Sequence, residues 1–167
     1  MLLNPRRLND QKLKILKNFL STIPLFGLSE ISAHIERVKG AGKKNLMVIY
    51  KTGENAPADR DYLEKILNAV GVHLENDAFY LEISDKQIPP WAALNRHFHA
   101  NYCFLFGIPP GNAGIRLNMP LYRPLTYREV TYLCSDSLEK IRLERETGDN
   151  RAAGALWKAL LEIFPKV

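Results

Sequence analysis

Three short apolar runs constrain the chain most. "NLMVIY" (45–50), "AFYLEI" (78–83) and "YCFLF" (102–106) are rich in β-branched and aromatic residues, and stretches of helical periodicity lie between them. The third run stops at Gly107 and a Pro/Gly turn, "GIPPGNAG", as a buried parallel strand does where it hands the chain to a loop. Strands that alternate with helices in this way imply parallel strands joined by right-handed crossovers, with helices on both faces of the sheet. Any ligand cleft then lies at the C-terminal edge of the sheet, where loops 51–60, 84–90 and 107–114 should meet.

The helical segments between these runs are explicit. In "DYLEKILNAVG", Leu63, Ile66, Leu67 and Val70 recur on one face before Gly71. Pro89 and Pro90 open a short helix through "WAALNRHF". Upstream, Ser29 offers an N-cap for "SEISAHIERVKG", with Ile31, Ile35 and Val38 as the apolar stripe and His34 as an ordinary helical histidine beside it. Downstream, "PLYRPLTYREVTYLCSD" supplies one or two further strands, and helices flank the turn at Gly148 and Asp149. In the last of these, Ala153, Leu156, Trp157, Leu160 and Phe164 share the inward face, with Lys158 and Glu162 as an exposed pair. Trp157 is expected to anchor that helix in the core; the competing expectation is a surface hot spot for a partner.

A chain of 167 residues fits one domain that buries roughly two-thirds of its unfolded surface without disulfides. Cys103 and Cys134 both fall in apolar runs and read as reduced core thiols; two cysteines are too few for a four-ligand zinc or iron–sulfur site. No stretch approaches the length of a membrane span, and the start of the sequence lacks the apolar core of a signal peptide, so the expected location is cytoplasmic. The +5 net charge is uneven. Residues 1–44 hold nine Lys/Arg against three acidic residues, whereas the remaining fourteen basic and fifteen acidic residues nearly balance. The sequence thus divides into a basic helical N-terminal segment, 1–42, and an α/β domain, 43–167, together one compact unit. Within the first, Leu13, Leu16, Phe19 and Leu20 line one face of an amphipathic helix that ends before Pro24, opposite Lys12, Lys14 and Lys17. Such a helix packs on its own domain or serves as a docking arm.

The loops carry little recognisable chemistry. "GIPPGNAG" lacks the Lys-Ser/Thr of a phosphate-binding loop, and its prolines remove backbone donors. "KTGENAP" is not a dinucleotide fingerprint. Asp59, Asp61 and Glu64 fall where cap and first-turn acids favour the helix dipole. His97 and His99 are spaced to diverge rather than pinch one ion. No metal and no cofactor is expected.

The tail "PLTYREVTYLCSDSLEKI…AAGALWKALLEIF", with "NLMVIY", "LEKILNAVGV" and "NYCFLFGIPPGNAGI" before it, resembles the psi subunit of the bacterial DNA polymerase III clamp-loader assembly over residues 43–164. In that family a strand runs into an S-P-x-L-like corner and an A-x-L-W helix closes the chain. The resemblance implies a three-layer α/β/α fold with a small, mainly parallel central sheet, like that of uracil-DNA glycosylases. In glycosylases of the iron–sulfur type, the first strand leads into a G-E-x-P-G loop that positions water and uracil, and a late strand ends in H-P-S. Here Gly53, Glu54 and Pro57 resemble the first motif without its spacing or closing glycine. Cys134 and Ser135 stand where His-Pro would be, and a thiol is a poor stabiliser of a leaving uracil anion.

The resemblance therefore implies a non-catalytic replication adaptor. Its N-terminal arm would dock on clamp-loader subunits, and its body on a chi-like subunit linked to single-stranded-DNA-binding protein. Arg6, Arg7, Leu13, Leu16, Lys17, Phe19 and Leu20 are the candidate partner-binding residues. A second reading makes the chain a nucleic-acid binder or repair enzyme that uses the cleft, with Tyr50, Lys51, Asn112 and Arg116 near a base or phosphate. The modest positive excess implies weak, steeply salt-dependent binding to nucleic acid.

Overall fold

The computed structural model describes residues 28–84 and 87–165. The N-terminal candidates, Arg6 to Leu20, lie outside them. Each apolar run forms a strand: β1 is Leu46–Lys51, β2 Ala78–Ile83 and β3 Tyr102–Phe106. A hairpin of β4 (Leu125–Tyr127) and β5 (Val130–Ser135) completes a sheet with the order β2-β1-β3-β5-β4. All pairings are parallel except β4 with β5.

Side chains alternate between two cores, so the sheet is covered on both faces. Leu46, Val48, Tyr50, Phe104, Phe106 and Leu133 point into one core. Helices α2 (Ala56–Asn68), α5 (Leu138–Glu146) and α6 (Arg151–Ile163) cover it through Leu63, Leu67, Ile141, Leu156 and Leu160. Met47, Ile49, Cys103, Leu105 and Cys134 point into the other core, closed by Trp91 and Leu94 of α4 (Trp91–Phe98), with Ile35 of α1 (Leu28–Arg37) packed against it. The short helix α3 (Leu74–Asp77) leads directly into β2. The molecule is thus a three-layer α/β/α fold around a mainly parallel sheet. Both cysteines are buried and free.

The connections explain where a cleft forms. From β1 the chain crosses to β2 over the first face, by α2; from β2 it returns past β1 to β3 over the second face, by α4. Loops leaving β1 and β3 therefore diverge to opposite faces, and a crevice opens between them at the C-terminal edge. The two rims of the sheet differ. Outward groups of β2 are already bonded: Lys39 exchanges both backbone hydrogen bonds with Tyr80 (2.9 and 2.8 Å), Gly42 donates to the Ala78 carbonyl (3.2 Å) and Arg37 to that of Glu82 (3.1 Å). Residues 37–42 are in this way joined to the body. At the opposite rim β4 spans three residues, with Thr126 and Tyr127 exposed.

One local expectation needs correction. The first helix is already under way at Leu28, so Ser29 lies inside it rather than at its cap. On α6 the expected face packs on the first core: Leu156 and Leu160 are buried, and Ala153, Trp157 and Phe164 are partly buried against it. Ala159, outside the expected stripe, is buried as well, and the indole of Trp157 also borders an open groove between α2 and α6 with Tyr62, Ile66 and Gly154. No described helix is long and apolar enough to cross a membrane.

Candidate functional site

The crevice between the ends of β1, β3 and β5 is a cavity of about 520 Å³. Three backbone segments build it: Lys51–Thr52–Gly53 after β1, residues 107–110 after β3, and residues 134–137 where β5 turns into α5. The loop expected from residues 84–90 does not line it.

Its polar groups are spent on one another. Ser137 caps α5 by accepting from the Lys140 amide (3.2 Å). Asp136 accepts from the Tyr122 hydroxyl (2.6 Å) and pairs with Lys140 (3.1 Å). Burial alone would raise the Asp136 carboxyl; the hydrogen bonds from Tyr122 and Lys140 outweigh it and hold the group below the usual carboxylate range. Ser135 Oγ donates to the Asp136 carbonyl (2.9 Å). Cys134 Sγ faces the Ile108 carbonyl (3.7 Å). Burial, and then the Asp136 charge, push this thiol up, away from the thiolate that nucleophilic attack or metal ligation requires.

The loop that resembles the water-positioning motif is covered. Glu139, from the first turn of α5, accepts from the Glu54 amide (3.0 Å), and its carboxylate lies directly over Gly53, so a β-carbon there would require the Glu139 side chain to move aside. Just after β3, Gly107 has a φ of +70° and its α-carbon faces Ser137, whose backbone leaves no room for a β-carbon. Beneath the loop, fully buried Asp59 accepts from the Gly53 amide (2.9 Å) and pairs with Arg142 of α5 (3.5 Å). Asn55, not Asp59, caps α2, by accepting from the Ala58 amide (3.2 Å). Asp59 is thus the first-turn acid expected there but not the cap, and it also stitches the β1 loop to α5.

The four residues of the cleft reading do not come together. Lys51 borders the cavity and is exposed. Tyr50 is fully buried, with its hydroxyl towards Glu82 (3.4 Å). Burial, then Glu82, raise its pKa, and the full burial of the ring leaves no face for stacking on a base. Asn112 is exposed on the single turn of 3₁₀-helix at Pro110–Ala113, outside the cavity lining. Arg116 lines a different groove, against α4. His97 is exposed on α4, and His99 ends that helix in a left-handed conformation (φ 51°). Among the described residues no three His, Cys, Asp or Glu side chains are placed to hold a metal ion.

Sequence reasoning missed Glu139, Arg142 and the burial of Asp59. The only local signal was the phase of Asp59, four residues before Leu63, which places both on the inward face of α2. By fold and cleft the molecule belongs to the three-layer α/β/α class, with its crevice at the switch of sheet direction. In comparisons with known proteins, no family model and no curated protein matches the chain.

Proposed function

We propose that the chain is a non-catalytic adaptor of the psi type, acting in the cytoplasm between a bacterial clamp loader and other replication proteins. The observation that carries the non-catalytic half is the closure of the β1 loop by Glu139, together with a buried, protonated Cys134 where the glycosylase-like resemblance has histidine. The adaptor half rests on the resemblance over residues 43–164, which the parallel sheet and its capping helix α6 accommodate.

Two experiments test the two halves separately. Full-length protein incubated with uracil-containing single- and double-stranded DNA is expected to release no uracil. Protein-dependent release that vanishes in Glu54→Ala would overturn the non-catalytic reading. Affinity capture from native extract is expected to recover clamp-loader subunits or single-stranded-DNA-binding protein, with loss of capture on replacing Leu16 and Phe19 by Asp. Failure to recover any of these proteins would sink the adaptor reading.

A further inference from the structure

A second groove, of about 620 Å³, lies on the α4 side of the sheet beside β4, away from the C-terminal edge. Its charge is one-sided. Arg96 of α4, Arg116 of the segment before β4 and Arg128 of the β4–β5 turn all line it, and no Asp or Glu does. The three are exposed, and none forms an ion pair among the described residues. Like charges gathered without counter-charges repel one another and attract a polyanion.

The remaining lining is aromatic and hydrogen-bonding. Trp91 and Tyr132 meet edge to face (centroids 6.1 Å apart) and are joined by Trp91 Nε1 donating to the Tyr132 hydroxyl (3.2 Å). At the rim Tyr127 is 46% exposed, with the Arg128 guanidinium 5.4 Å from its ring centroid. Asn95 Oδ1 is a buried acceptor with no hydrogen-bond partner. The turn itself is a further observation. Arg128 and Glu129 both take left-handed φ values, 47° and 66°, in a two-residue hairpin loop where Asn-Gly would be least strained. Strain of this kind concentrates at functional positions, and here it sets a guanidinium beside an exposed ring.

We propose that this groove binds single-stranded nucleic acid. Arg96, Arg116 and Arg128 contact phosphates, and the exposed Tyr127 ring stacks on a base. An acidic peptide would satisfy the arginines, but its carboxylates bring no π face to lay on Tyr127. The inference goes beyond the adaptor reading and does not depend on it.

Fluorescence anisotropy of the full chain with labelled oligothymidylate and oligouridylate of ~12 nucleotides tests the proposal and separates DNA from RNA as the source. Replacing the three arginines by Ala is expected to weaken binding at least ~30-fold near 0.1 M salt and to lower the slope of log affinity against log salt by about 2, three single-strand phosphate contacts. Tyr127→Ala is expected to weaken binding by roughly 10-fold with the slope unchanged. A charge-matched control, Lys65, Arg145 and Lys158 to Ala on the opposite helical layer, should change affinity less than ~3-fold. All these side chains are exposed, and equal melting temperatures would show that the variants fold. Equal losses in the two triple variants would reduce the binding to diffuse charge and overturn the proposal. So would an unaffected Tyr127→Ala, absence of binding by the unmodified chain, or displacement of the oligonucleotide by polyglutamate at lower concentration than by unlabelled oligonucleotide.

Discussion

Asp59 shows how much one carboxylate can decide. Fully buried, it satisfies the Gly53 amide on one side and faces Arg142 on the other. Asp59→Ala would leave the part-buried Gly53 amide without its acceptor and Arg142 with Glu146 alone, so a loss of about 1–3 kcal/mol is expected. Asp59→Asn keeps an acceptor for Gly53 while losing the charge, and should fall between Ala and the unmodified chain. Urea denaturation of the three proteins gives the order. A loss below ~1 kcal/mol that disappears in salt would instead return Asp59 to the helix-dipole role its sequence position suggested. That position was legible, because an acid in the first turn of a helix is a local pattern. Its partner was not: Arg142 sits in a helix near the far end of the chain, and only the packing of α5 against α2 brings the two together.

At the scale of elements, the apolar runs located β1, β2 and β3 within a residue, since fully buried strands must be apolar on both faces, whereas β5 was expected only as one of one or two strands in residues 120–136. The face of α6 was legible too, but not the depth of each residue on it. Apolar residues occupy more than half its turn, so the stripe did not reveal that Ala159 is buried beside Leu160 while Trp157 packs on the core only partly buried, at a groove edge. Leu160→Ala is therefore expected to cost about 2–5 kcal/mol, and Trp157→Ala less than Leu160→Ala despite the larger side chain. Thermal melts of the two variants check the ranking. Gly154 makes a companion test. It sits inside α6, and a β-carbon there would meet nothing within 4 Å, so Gly154→Ala should stabilise the protein by roughly 0.5–1 kcal/mol. A destabilised Gly154→Ala would show that the helix interior tolerates no methyl at that position.

The molecule as a whole should be fragile at high pH. Tyr50, Tyr80, Tyr122 and Tyr132 all have raised pKa values: burial comes first in each, joined by Glu82 at Tyr50, Glu75 at Tyr80 and Asp136 at Tyr122. Tyr80 is pushed up to about 12. The folded state keeps these protons, while the unfolded chain releases them near pH ~10. Their stabilisation is therefore complete at neutral pH and is lost as pH rises from the ordinary tyrosine range through about 12. The share of phenolate absorbance that belongs to these four tyrosines should rise in one cooperative step that coincides with loss of the circular-dichroism signal. Complete ionisation of all seven tyrosines in a protein still folded would contradict these environments. The sheet order that creates them was not in the sequence pattern, because alternation of strands and helices predicts parallel strands without saying which neighbours they choose.

The unequal rims of the sheet have a consequence for association at high concentration. Open-ended strand addition needs two free rims per molecule, and in this chain residues 37–42 already occupy the outward carbonyls of Ala78, Tyr80 and Glu82. Only β4 is left, three residues long. Two copies joined there would pair like with like and use up the remaining rim, so growth would stop at a dimer instead of running on into fibrils.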